Sequence, residues 1–411
     1  MTTQNLETLE KFRLRARAWA ESHLERGKFP AKDDWPSQVD AQRRIFQSGF
    51  AGIAVPRQYG GLGLTLEHQR VWAEETAPFA RPTGFMVSLG MILPTLLDYG
   101  TETMKLRHIP RMLSGQEAWI QLLSEPSGGS DLAGVLTRAT RDDDGFVING
   151  SKMWSSNADT ADYGLCLARV DWDKPKHQGL GVFAVPLKGE GVTIEPIPPV
   201  QGGPAHFFME YFDNVRIPAA YRLGDEGAGW AVAQRLLFHE RNATAGVAYG
   251  YGLDGGGSSG ESSWRVNVQD IARQTGTLDD PVLGARVADD HIELIVGRQL
   301  AERINAGLGS GQLEGHWGSL LKLQLGIDTP NNAELALALA GADGVIWEGD
   351  DDRAGGELGL NWLKVRGLSI AGGSNEIQRN IVSERLLGLP REPGDDRTVP
   401  FSELMKRRKL D

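Results

Sequence analysis

The strongest constraint on the fold of this chain is a change of hydrophobic period near residue 121. Before it, Phe12, Ala16 and Trp19 recur at helical spacing on a charged background, and helical patterning resumes in LEHQRVWAEETAPF, MILPTLLDYG and HIPRMLSG. Between these, SGFAGIAVPRQYGGLGLTLEH inserts Pro56 and paired glycines and reads as a loop. After residue 121, TRATRDDDGFVINGSKMW alternates and contains two tight-turn pairs, Asp144 with Gly145 and Asn149 with Gly150. YGLCLARV, GVFAVPL, VTIEPI and HFFMEYFDNV continue as short strands spaced by Gly and Pro. Helical spacing returns at GWAVAQRLLFHERNATAGVAYG, and Val287, Ile292, Ile295, Val296 and Ile304 mark a further packing face that residues 320–327 and 333–340 extend. The pattern predicts a mainly α chain with a central antiparallel β domain of about 100 residues. The expected divisions are a helical domain over 1–120, the β domain over 121–228, a four-helix bundle over 229–391, and a tail over 392–411 that packs late or frays.

Composition narrows the function. A chain of 411 residues is too long for one core. Its net charge of −11 argues against a nucleic-acid surface. The N-terminus lacks a secretory apolar run, and no window approaches the about 20 apolar residues of a membrane span, so a cytoplasmic protein is expected. The one cysteine, Cys166, sits in an apolar strand and reads as a packed hydrophobe rather than a nucleophile. GYGLDGGGSSGESS reads as a surface loop, and the acidic residues 350–352 as a solvated loop rather than a metal site. A strand followed by GxGxxG and a helix is missing, so any dinucleotide must bind outside the Rossmann mode.

Four stretches carry the chemistry: GFAGIAVPRQYGGLGL; LLSEPSGGSDLAG with INGSKMWSSNA after it; FDNVRIPAAYRLGDEGAGW; and GGSNEIQRNIVSERLLGLP. In this order and spacing the chain resembles the acyl-CoA dehydrogenases over nearly all of residues 5–391. The resemblance implies FAD as cofactor and an acyl-CoA thioester as substrate. It places Gln121, Leu123 and Ser124 at the flavin's pyrimidine edge, Trp154 and Ser156 against its ring, and Ser130 near the thioester. Ser374 and Glu376 match positions near the ribityl and phosphate groups, where the family usually has Thr and Gln; a carboxylate at 376 repels a pyrophosphate. Arg273 resembles an arginine lent by a neighbouring subunit to the FAD pyrophosphate, with a solvated helix arginine as the alternative. The family's Gln-x-x-Gly-Gly-x-Gly run is replaced by LAGADGVIWEG.

Dehydrogenation at Cα–Cβ needs a base for the α-proton, donors for the enolate-like oxygen and a hydride acceptor. Many relatives carry the base just before the Gly-Thr of the C-terminal motif, but that position here is Gly372. A minority arrangement takes it from a Glu-Arg pair on the first C-terminal helix, matched by Glu240 and Arg241 in LLFHERNATAG. Glu240 is thus the expected base, Arg241 a substrate contact, and the N–H of Gly372 an oxyanion donor. The adjacent His239 is expected at the surface. Electrons would pass to an electron-transfer flavoprotein, and the chain would form a homodimer, homotetramer or heterotetramer with a related subunit. An acyl-CoA oxidase, a flavin monooxygenase and a non-catalytic subunit of a heteromer are the competing readings.

Overall fold

The computed structural model describes residues 6–27, 34–200, 202–244, 264–346, 355–394 and 397–408. The Gly-rich loop and the acidic residues 350–352 lie outside them. The chain forms two compact units: residues 1–199, 204–253 and 392–411 in the first, and 200–203 with 254–391 in the second.

The first unit opens with five helices: α1 (Leu9–His23), α2 (Trp35–Gln47), α3 (Leu66–Thr76), α4 (Leu93–Tyr99) and α5 (Glu102–Leu113). Each turns its apolar stripe inward, so that Phe12, Ala16, Ile45, Trp72, Leu93 and Met112 are buried together. Phe50 stacks on Trp72 with ring centroids 4.5 Å apart. Eight strands follow: β1 (Trp119–Leu122), β2 (Arg138–Asp142), β3 (Gly145–Ser156), β4 (Tyr163–Arg169), β5 (Leu180–Pro186), β6 (Val192–Ile197), β7 (Phe207–Pro218) and β8 (Arg222–Leu223). They form one sheet in the order β6-β7-β3-β2-β4-β5-β8, with β1 paired to β4. Most pairs are antiparallel; β1 with β4 and the single β2–β4 pair are parallel.

Both faces of the central strands are covered, which explains why YGLCLAR reads as a continuous apolar run rather than an alternation. Leu165 and Leu167 join the helical core, while Cys166 and Ala168 face a second core inside the curled sheet. There Phe146 of β3 meets Phe183 of β5 at 4.8 Å. Burial pushes the Cys166 thiol up to about 12, consistent with an inert packed residue. Helix α6 (Gly229–Thr244) then returns to this unit, burying Val232, Ala233 and Leu236 in the helical core.

Of the two turn pairs, Asp144 and Gly145 do link β2 to β3. Asn149 and Gly150 do not turn; β3 runs straight through them with a bulge opposite β7. Gly150 has φ +143°, and a Cβ there would meet Thr137 Cα at 2.7 Å, so close strand approach rather than chain reversal selects the glycine.

The described residues 397–408 of the C-terminal segment are packed. Helix α12 (Phe401–Arg408) docks on the first unit, with Phe401 N–H donating to Lys174 O at 3.0 Å and Ser402 N–H to Trp172 O at 2.8 Å. Phe401 is buried beneath the Arg169 guanidinium, whose Cζ stands 3.9 Å from the ring centroid. One aromatic side chain supplies the anchor that composition alone concealed.

The second unit is helical: α7 (Val268–Thr275), α8 (Pro281–Gly309), α9 (Gly318–Ala340), α10 (Gly355–Val365) and α11 (Asn375–Ile381). The stretches 320–327 and 333–340 belong to one helix, α9, which continues through Pro330. On α8, Val287 and Ile304 are buried as expected, but Ile292, Ile295 and Val296 are exposed on this chain. Over 29 residues a 3.6-residue period carries successive apolar positions around the cylinder, so one helix presents two apolar faces.

Candidate active site

Strand β1 runs into the SEPSGGSD loop, and β3 fixes that junction carbonyl by carbonyl. Ser155 Oγ lies 3.1 Å from Gln121 O, Lys152 Nζ donates to Leu123 O at 3.0 Å, and Met153 N–H donates to Ser124 O at 3.0 Å. Lys152 also pairs with Glu125 at 2.8 Å, both buried. Glu125 accepts two further bonds from the N–H groups of Leu136 (2.6 Å) and Thr137 (2.9 Å), closing the loop into a ring. Burial raises the Glu125 carboxyl, but Lys152 and the backbone donors outweigh it and hold the carboxyl below the ordinary range. The loop is therefore rigid at its base, while Ser130 at its far side is exposed.

Trp154 stands at a second bulge of β3, between Met153 and Ser155, with φ +69°. Such a backbone is costly for an aromatic residue and is retained where the strand must redirect a side chain. The bulge sends the indole outward, 53% exposed, with Phe207 edge-on at 6.0 Å. Ser155 points inward and Ser156 is half-buried. Gly129 keeps the Ser124 hydroxyl accessible, since a Cβ there would stand 3.1 Å from Ser124 Oγ.

Helix α6 brings Glu240 to the same junction, where Gln121 Nε2 donates to Glu240 Oε2 at 3.1 Å. Arg241 beside it is half-buried; burial pulls its guanidinium down from its ordinary value, and Glu240 opposes that shift. His239 is buried, not at the surface: its Nε2 lies 2.8 Å from Asp98 Oδ2, and Arg235 Nε donates to the same oxygen at 2.6 Å. Consecutive helix positions point about 100° apart. Here that divergence turns Glu240 toward Gln121 and presses His239 onto α4, anchoring the helix. Burial raises the Asp98 carboxyl, but the hydrogen bonds from His239 and Arg235 bring it below its ordinary value.

The other expected residues lie on the second unit. Gly372 is exposed with φ +68°, and its carbonyl accepts from Gln378 Nε2 at 2.9 Å. Ser374 caps α11, its Oγ accepting from Ile377 N–H at 3.3 Å. Glu376 in the first turn of α11 is fully exposed; its own backbone N–H and Ser374 lower its carboxyl below the usual range. Arg273 on α7 is exposed and pairs with Asp270 at 2.6 Å.

Within the first unit, Gln121, Leu123 and Ser124 lie against the stretch of β3 that carries Trp154 and Ser156, and Gln121 reaches Glu240. These groups suit a flavin: the projecting indole offers an apolar face, and the amide and hydroxyls beside it offer donors for a polar ring edge. The buried set Glu125, Lys152, Ser155 and Glu210 escaped the motif reading. For Glu210 a signal existed: Phe208 and Phe212, two positions either side on β7, are both buried, so parity points the glutamate inward.

Family models described as the N-terminal, middle and C-terminal domains of acyl-CoA dehydrogenase match residues 7–116, 121–215 and 227–387. Acyl-CoA dehydrogenase IpdE1 of Mycobacterium tuberculosis is 33% identical over 400 residues, covering 94% of this chain and 99% of its own. Its namesake from Mycolicibacterium smegmatis is 33% identical over 369 residues, covering 85% and 88%. Among solved structures, the Tcur3481-Tcur3483 steroid ACAD superposes with a TM-score of 0.74 at 28% identity, covering 95% of this chain and 100% of that one.

Proposed function

The chain belongs to the acyl-CoA dehydrogenase family, whose cofactor is FAD, and from that premise we propose that it desaturates an acyl-CoA thioester at Cα–Cβ with Glu240 as the base. The observation that carries this reading is the 3.1 Å bond from Gln121 to Glu240, which joins the Glu-Arg helix to the strand entering the SEPSGGSD loop. FAD, when bound, accepts the β-hydride. Glu240 takes the α-proton, and Gln121 orients its carboxylate. The buried neighbours Leu236 and Ala243 stand about one turn before and after it on α6 and help keep water out. At φ +68° position 372 suits glycine, and its backbone N–H is the proposed donor to the thioester oxygen. Gln121, Leu123, Ser124, Trp154, Ser156, Ser374 and Glu376 are the proposed flavin contacts, Arg273 a contact to a neighbouring subunit's cofactor, and Ser130 and Arg241 substrate contacts.

We further propose a bulky, ring-bearing acyl group, supported by likeness to a steroid ACAD and by the missing side chain at 372. Electron-transfer flavoprotein is the proposed acceptor. Among the described residues no helix is long and apolar enough to cross a membrane. Anaerobic flavin bleaching against straight, branched and steroid-like acyl-CoA esters tests the substrate class. In the same assay Glu240→Gln is expected to keep FAD but stop α-proton exchange and bleaching; undiminished turnover would overturn Glu240 as base. FAD content of the chain purified alone separates a self-sufficient oligomer from a heterotetramer with a related subunit.

A further inference from the structure

Beneath the candidate site, Glu210 on β7 is fully buried, and its two oxygens are unequally served. Oε2 lies 3.1 Å from Ser155 Oγ, whereas Oε1 has no hydrogen-bond partner among the described residues. The same Ser155 Oγ lies 3.1 Å from Gln121 O. A serine hydroxyl carries a single hydrogen, while a peptide carbonyl and an ionised carboxylate are both pure acceptors. With Glu210 ionised, one of these two contacts therefore sets lone pairs against each other. With Glu210 protonated both are satisfied: Glu210 donates to Ser155 Oγ, and Ser155 donates to Gln121 O.

The surroundings agree. Lys152 stands opposite Glu210 in the β3–β7 register, but its ammonium is committed to Glu125 and Leu123 O. Cys166 faces the same interior from β4 with a neutral thiol, and β6 sets Ile194 opposite Glu210. The nearby cation is thus matched by Glu125 and leaves Glu210 without a counter-charge of its own. Burial pushes the Glu210 carboxyl up to about 8, with the Ser155 hydrogen bond, its own backbone N–H and Lys152 acting against that rise.

We propose that Glu210, as a buried protonated acid, is a positioning residue: through Ser155 it holds the Gln121 backbone, and so holds the Gln121 amide on Glu240. The step from Gln121 to catalysis rests on Glu240 being the base. Loss of the Glu210 proton turns the Ser155 hydroxyl toward the carboxylate and releases the Gln121 carbonyl, which loosens the seat of Glu240 and gives the enzyme an alkaline limb.

Infrared spectroscopy of the purified protein in D2O tests the first part without reference to activity. A protonated carboxylic-acid carbonyl component is expected in wild type at neutral pH, fading as pH rises through about 8, and this component is expected to be lost from Glu210→Gln at neutral pH. An identical band in wild type and Glu210→Gln would overturn the protonated acid. The second part is read by α-proton exchange with a thioester substrate. Wild-type exchange is expected to fall several-fold to a lower plateau as pH rises through the transition, whereas Glu210→Gln, which keeps a neutral donor, lacks that limb. Ser155→Ala, which removes the bridge and spares the acid, is expected to keep the infrared band and lose the limb. The same alkaline limb in both variants would sink the positioning role. Undiminished exchange in Glu240→Gln would instead sink the base assignment, with the infrared result still deciding the state of Glu210.

Discussion

Lys152→Met isolates the interaction that makes the SEPSGGSD loop rigid. In the wild type the ammonium has no exposed side-chain surface and Glu125 only 3%, with 2.8 Å between them. Removing the cation leaves Glu125 buried with two backbone donors and only the more distant Arg169 guanidinium to offset its charge. Breaking a buried pair from one side costs about 3–5 kcal/mol, and the lost bond to Leu123 O adds about 1 kcal/mol. The sign with pH follows from the lowered Glu125 carboxyl: its contribution is present above the ordinary carboxylate range and is lost as pH falls through the native value. In Lys152→Met the carboxyl rises and takes up a proton on mild acidification, so the variant's deficit is expected to shrink between about pH 7 and pH 5. Urea unfolding of the holoprotein at both pH values, followed by near-ultraviolet circular dichroism, measures the gap. Adding Glu125→Gln is expected to recover more than half of it. A deficit below about 1 kcal/mol at neutral pH, the range of exposed pairs, or one equal at both pH values, would refute the reasoning.

Two other substitutions test neighbouring features. Phe401→Ala removes the ring beneath the Arg169 guanidinium and the anchor of α12. It is expected to cost about 3–5 kcal/mol and to raise amide exchange where Trp172 and Lys174 accept from α12; unchanged exchange there would show that α12 is held elsewhere. Trp154→Ala truncates a side chain already 53% exposed, so stability is expected to move by less than about 1 kcal/mol. FAD affinity, read by fluorescence titration, is expected to fall about two- to tenfold, the worth of one aromatic contact; unchanged affinity would remove Trp154 from the flavin site.

What could be read from the sequence divides along a physical line. The SEPSGGSDLAG run was legible because part of its structure is local: a Cβ at Gly129 would crowd Ser124 Oγ, five residues earlier, whereas the long-range bonds of Glu125 to Lys152, Leu136 and Thr137 were not legible. The helical and strand segments were legible because burial imposes a period, as with Phe12 and Ala16 on α1. Everything that depended on register was hidden. Two bulges in β3 shift its parity, one between Ile148 and Gly150 and one between Met153 and Ser155. A strict period of two through MWSSN would send Met153 and Ser155 to one face and Trp154 to the other; it says nothing of which strand lies behind Ser155. Only the pairing of β3 with β7, together with β1 crossing beside it, places Glu210 under Ser155 and Ser155 under Gln121. The same holds for His239, whose burial depends on Asp98, 141 residues earlier in the chain. A motif therefore records which groups meet a ligand, whereas the groups that hold those in place are specified by pairing. This asymmetry has a consequence for Glu240. Its helix supplies the carboxylate, but Gln121 on β1 bonds to it directly and Asp98 on α4 holds its neighbour His239, so substitution of Asp98 is expected to shift Glu240, the proposed base, without removing any group that touches it.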